Sequence, residues 1–195
     1  MIKEGRPHMA ASPDESPPSP QFHSSPWIRR FARLIPEHGE VLDLACGTGR
    51  HARLLAGLAY QVEAVDRSPL ALASLQGIAR VTPRQADLEG GSWPYHGRLF
   101  AGIVVTNYLY RPRIEELLAC LAEPGVLLYE TFMVGNERYG KPSNPDFLLR
   151  SQEMLGWVRE RGWQVAAFEE GQVDAPKPAM VQRLCGTRGA IAARL

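Results

Sequence analysis

The 195 residues are enough for one domain with its own core and leave little for a second. Apolar residues make up 45% and charged residues 22%, the balance of a soluble globular chain, which excludes a fibrous or wholly disordered protein. A net charge of +1, the lack of any apolar run of about 18 residues and the lack of a signal-peptide layout argue against a general field for nucleic acid or lipid, a membrane span and export.

The expected setting is therefore cytoplasmic. Cys46, Cys120 and Cys185 are odd in number and far apart, and the five histidines are equally scattered, so neither a disulfide framework nor a metal site is expected. Along the chain, residues 1–24 hold Pro7, Pro13, Pro17, Pro18 and Pro20 among polar residues, a composition that buries too little surface to order itself and is expected to form a disordered tail. His8-Met9 resembles the remnant of a common cloning site, so part of this tail is read as vector-derived.

A single domain is expected over 25–195. Ser25-Pro26 fits an N-cap followed by proline in the first helical position, and Trp27, Ile28, Phe31, Leu34 and Ile35 then share one helical face up to Pro36. Val41 to Ala56 reads as strand, tight loop and helix. An apolar run carrying Asp43 passes through Gly47 and Gly49 into a segment with helical spacing, a layout in which glycines admit a ligand close to the backbone and a helix start offers unpaired N–H groups. Gln61 to Asp66 is a second strand ending on an acid, and Ser68-Pro69 caps a helix through Leu75. Val81 to Gln85 is a weak third strand leading to Asp87-Leu88.

A polar, Gly-rich connection from Glu89 to Arg98 precedes the uniformly apolar Phe100 to Thr106, the signature of a strand covered on both faces. Ile114, Leu117, Leu118 and Leu121 predict a helix ended by Glu123-Pro124-Gly125, and Val126 to Glu130 predicts another buried strand. Thr131 to Arg150 breaks the alternation just past a strand end, where ligands bind in open α/β sheets. Ser151 is expected to cap a helix through Arg161, and Trp163 to Glu169 with Met180 to Thr187 to form an antiparallel pair. The alternation implies a doubly wound, mostly parallel sheet with helices on both faces.

Gly47, Gly49 and Ala52 fit a permissive dinucleotide pattern, and Asp66 lies roughly where a ribose contact would fall, so NAD enters as a candidate. Asp43 opposes it. A carboxylate about 5 Å from a pyrophosphate costs on the order of 3 kcal/mol at an effective dielectric of 20. The same carboxylate favours the ammonium and sulfonium groups of S-adenosylmethionine.

Asp43-Leu44-Ala45-Cys46-Gly47-Thr48-Gly49 resembles the first motif of class I S-adenosylmethionine-dependent methyltransferases. The resemblance implies a Rossmann-like seven-stranded sheet with an antiparallel last strand and the cofactor across the first strand tips. It further implies that Asp43, Ala45, Cys46, Gly47 and Gly49 face the methionine moiety, Asp66 and Arg67 the ribose, Asp87 and Leu88 the adenine, with Asn107 beside them and S-adenosylhomocysteine as product. Ala45 departs from the glycine common at its position. Asn107-Tyr108-Leu109-Tyr110-Arg111-Pro112, Tyr129-Glu130-Thr131-Phe132 and Gly140 to Leu149 resemble a small bacterial branch labelled tellurite-resistance-like. The Asn-Pro-Pro-Tyr tetrad of amino-group methyltransferases on nucleic acids is absent.

Methyl transfer needs an acceptor held in line, and a general base is optional. Tyr108, Tyr110, Glu130 and Tyr139 are the candidates to orient or deprotonate the acceptor, and Arg111, Arg138 and Lys141 the candidates to hold an anionic one. His51 is expected to be exposed, and Cys46 to be a small buried packer. The expected function is methyl transfer to a small molecule by a monomer or homodimer, without membrane, metal or nucleic-acid partner. A non-catalytic cofactor-binding or accessory module and a nucleic-acid methyltransferase are the alternatives.

Overall fold

The computed structural model describes residues 23–191. The expected tail lies outside the described residues except for His23 and Ser24. Seven strands form one sheet in the order β3-β2-β1-β4-β5-β7-β6. They are β1 (Glu40–Leu44), β2 (Gln61–Asp66), β3 (Val81–Gln85), β4 (Phe100–Thr106), β5 (Leu121–Phe132), β6 (Gln164–Val173) and β7 (Ala179–Arg188). The first five run parallel, and β7 enters antiparallel between β5 and β6. The expected seven-stranded, doubly wound fold is present.

Alternation along each strand feeds two cores. Val41, Val62, Val104 and Leu128 point to one face, where α1 (Pro26–Phe31), α2 (Arg50–Gly57) and α3 (Pro69–Ala73) pack through Trp27, Ile28, Phe31, Leu55 and Leu72. Leu42, Leu44, Ile103, Val105 and Tyr129 point to the other, against α4 (Ile114–Ala119) and α5 (Glu153–Arg159). Each fully buried side chain of this kind contributes roughly 1.5–3 kcal/mol relative to exposure.

The first helix starts as expected, with the Ser25 hydroxyl accepting from the Trp27 and Ile28 amides at 3.1 and 3.4 Å. It tightens to a 3-10 turn over Ala32–Leu34, because Pro36 bars Ile35 from the helical region and leaves it extended. Leu121 fits the helical spacing of Ile114 and Leu118 but pairs with Phe100 as the first residue of β5. The helix expected from Ser151 begins at Glu153, since Gln152 takes a left-handed φ of 58° and the Ser151 hydroxyl donates to Glu170.

The Gly-rich connection before β4 carries two buried aromatics, Trp93 and Tyr95, which plug the sheet face with no helix between β3 and β4. Arg84 and Arg98 lie over the Tyr95 ring at 5.0 and 5.6 Å and both pair with Glu63, the buried carboxylate in the middle of β2.

Candidate functional site

The site lies at the C-terminal tips of β1, β2, β3 and β4. Ala45, the first residue beyond β1, turns with φ 53°, and Asn107, the first beyond β4, turns with φ 55°. Left-handed backbone costs about 1–2 kcal/mol at an alanine and less at an asparagine, and it sends the two segments to opposite faces and parts them over the sheet edge. Gly47 follows with φ 56° and open space where a Cβ would project, so its carbon-free face is available to a ligand. Gly49 is needed for a second reason: a Cβ there would stand 2.3 Å from Leu75 Cδ2.

Asp66, at the tip of β2, organises this loop. One oxygen accepts the Gly47 amide and the other the Ser68 amide, both at 2.9 Å. Each oxygen keeps a lone pair for a further donor. Asp87, beyond β3, accepts the Glu89 amide at 3.0 Å, and the Glu89 and Gly90 backbone N–H groups hold its carboxyl below the ordinary range. A cleft of about 260 Å³ opens between these groups, lined by Ala45, Asp66, Arg67, Ala86, Asp87, Leu88, Glu89, Asn107 and Tyr108.

Asp43 sits behind the glycine loop, only 1% exposed, and neither of its oxygens meets a donor at hydrogen-bonding geometry. Burial pushes its pKa from 3.8 up to about 7, against a smaller opposing pull from the Ala52 amide and Arg50 and with added repulsion from Asp66. A buried, unpartnered carboxyl beside an open glycine loop fits a ligand that brings positive charge.

Residues 41–124 match a family of proteins described as a methyltransferase domain. Over those residues the chain is similar to methyltransferase domains. A protein-L-isoaspartate O-methyltransferase of Synechococcus is 31% identical over 154 residues, covering 74% of this chain and 62% of the relative. A tRNA U34 carboxymethyltransferase of Shewanella loihica is 29% identical over 161 residues, covering 69% of this chain and 47% of the relative. The chain thus spans only about half to three fifths of the length of these two relatives. The crystal structure of TehB from Haemophilus influenzae superposes with a TM-score of 0.65 at 18% identity, over 82% of this chain and 61% of TehB.

Of the expected cofactor set, Ala45, Asp66, Arg67, Asp87, Leu88 and Asn107 line the cleft. Cys46 is buried in the loop, and burial raises its thiol pKa, so it packs and does not react. Glu89 and Ala86 were not foreseen. The structure places Tyr108 in the same cleft, with its hydroxyl buried and unpartnered.

The other candidates are dispersed. Glu130, at the tip of β5, accepts the Ser25 hydroxyl at 2.7 Å and pairs with Arg183 at 3.0 Å, so its charge is already compensated. Tyr110 is half-buried, and the Tyr139 hydroxyl donates to Gln172 on β6 at 2.8 Å. Arg138 and Lys141 are exposed on the loop beyond β5. Arg111 is not available as an anion holder: it grips both oxygens of Glu153 at 2.7 and 2.8 Å and the carbonyls of Asp146 and Leu148, tying that loop to α5. His51, expected to be exposed, is buried; its Nε2 accepts the Ser25 amide at 3.0 Å, its Nδ1 faces the Thr106 hydroxyl at 3.3 Å, and burial lowers its pKa to about 3.

Because the folded pKa of Asp43 lies above its unfolded value, the group costs stability as pH rises from about 4 to about 7. In urea titrations across that window, Asp43→Asn should gain on the wild type by an amount growing to on the order of 4 kcal/mol, levelling above pH 7. Arg111→Ala should lose on the order of 2 kcal/mol and accelerate limited proteolysis between residues 144 and 152, with cofactor affinity changed less than about twofold.

Proposed function

We propose that the chain transfers a methyl group from S-adenosylmethionine to a small-molecule acceptor. The observation that carries the reading is the series of acids at or just beyond successive strand ends, Asp66 and Asp87 lining one cleft and Asp43 buried behind the adjoining glycine loop. The bound cofactor supplies a methyl carbon already activated by an adjacent positive sulfur. Asp66 would take the ribose hydroxyls with the lone pairs left by the two amides, Leu88 and Ala86 offer an apolar wall for adenine, and Asp87 faces its polar edge. Asp43 balances positive charge over the loop. A pyrophosphate brings no positive charge for this carboxyl to balance, which sets the dinucleotide reading aside.

The chain's own residues then bind and orient. Of the groups named to deprotonate an acceptor, Glu130 is compensated by Arg183, Tyr139 donates to Gln172, and burial raises the Tyr108 hydroxyl well above the ordinary tyrosine range and so keeps it protonated; alignment of acceptor and donor is then the main source of acceleration. Arg138 and Lys141, exposed beside the β5 tip, suit an acceptor with an anionic group. A macromolecular acceptor is the second reading, favoured by relatives whose names specify protein and tRNA.

Calorimetry with S-adenosylmethionine tests the reading. The wild type should bind, and Asp66→Ala should bind at least tenfold more weakly, from loss of hydrogen bonds to a charged group. Equal binding by both proteins, or none by the wild type, would overturn it. Formation of S-adenosylhomocysteine that persists in cell extract after nuclease and protease treatment would support the small-molecule acceptor; its loss would favour the second reading.

A further inference from the structure

We infer that Asp43 is a specificity-determining residue for the charge state of the cofactor: its buried carboxyl is partly protonated in the free protein at neutral pH, gives up that proton when the cationic donor settles on the glycine loop, and thereby favours donor over spent product. The inference rests on the proposed use of S-adenosylmethionine.

The three acids of the site are treated differently by the fold. Asp66 and Asp87 accept backbone N–H groups, which stabilise the ionised carboxylate. Asp43 has no donor at hydrogen-bonding geometry, the Ala52 amide exerting only a weaker pull, although it is the most enclosed of the three. An ionised carboxylate buried without a donor is so costly that the group takes a proton instead. The charged groups facing it are Arg50 from the first turn of α2 and Asp66 from β2, with the Cys46 thiol of the loop between them; they act in opposite directions and leave burial in control. Burial holds the free carboxyl at about 7, so the change falls within the physiological range.

An opposite charge within about 4–6 Å lowers a carboxyl pKa by roughly 1–3 units. Donor binding and proton loss at Asp43 are therefore linked, and each strengthens the other. S-adenosylhomocysteine carries one positive charge fewer, so it draws the proton off less and gains less from the ionised form. The consequence is a site whose preference for donor widens as pH rises toward 7 and levels above it.

The test is calorimetric titration with S-adenosylmethionine and with S-adenosylhomocysteine between pH 5.5 and 8.5. At pH 7 it is repeated in two buffers of different ionisation enthalpy, so that released protons are counted. The wild type should bind the donor at least tenfold more weakly at pH 5.5 than at pH 8, release a fraction of a proton at pH 7, and show a shallower dependence for the product. Asp43→Asn should bind the donor with less than about twofold change across the range. A flat profile for the wild type, an unchanged slope in Asp43→Asn, or equal slopes for the two ligands would overturn the inference while leaving the cofactor assignment standing. Absence of donor binding at every pH would remove both. The proton count on the wild type stands whether or not the variant folds.

Discussion

Everything at the site depends on how two adjacent central strands end. β1 and β4 are neighbours in the sheet but not in the chain, so the winding reverses between them and their connections leave toward opposite faces. Each departs through a single left-handed residue, Ala45 and Asn107, at nearly the same φ. That strain is sustained because the Cys46 amide donates to the Val65 carbonyl and the Asn107 amide to the Glu130 carbonyl, both at 2.9 Å, which fixes the two turns to the neighbouring strands. The cleft is the gap the two turns leave.

Around that gap the fold spends its polar groups unevenly. The glycine loop is held by a side chain of the next strand, since Asp66 accepts the Gly47 amide, so loop shape and ribose contact would share one carboxylate. On the far side a buried chain of contacts runs from Thr106 through His51 and Ser25 to Glu130 and Arg183, fastening the start of α1 between the glycine-loop helix and the tip of β5. Those groups satisfy one another. Among the described residues two acids are buried: Glu63 is paired with arginines, whereas Asp43 has no hydrogen-bond partner, which suits it to a ligand that brings positive charge.

Much of this was legible in the residues. β4 read as a strand because burial on both faces makes it continuously apolar, and β1 and β2 as short apolar runs in which Asp43 and Asp66 stood out near the ends. The buried state of His51 was not legible: its place on α2 follows from spacing, but which side meets the sheet depends on where Ser25 and Thr106 arrive in space. Trp93 and Tyr95 were hidden in a Gly-rich stretch whose composition suggests a surface connection, and only the lack of a covering helix gives them a core to fill. Arg111 looked like a free cation because its partner Glu153 lies 42 residues away. Leu121 satisfied a helical pattern and a strand pattern equally, and pairing with Phe100 decided between them.

The central claim is that the cleft between Asp66 and Asp87 and the adjoining glycine loop form one cofactor site. A crystal structure with S-adenosylhomocysteine bound tests it most directly. The account predicts adenine against Leu88 and Tyr108, both ribose hydroxyls within hydrogen-bonding distance of Asp66, and the methionine end over Gly47 on the side of Asp43. Density for the nucleoside outside this cleft, or a ribose that leaves Asp66 untouched, would contradict it.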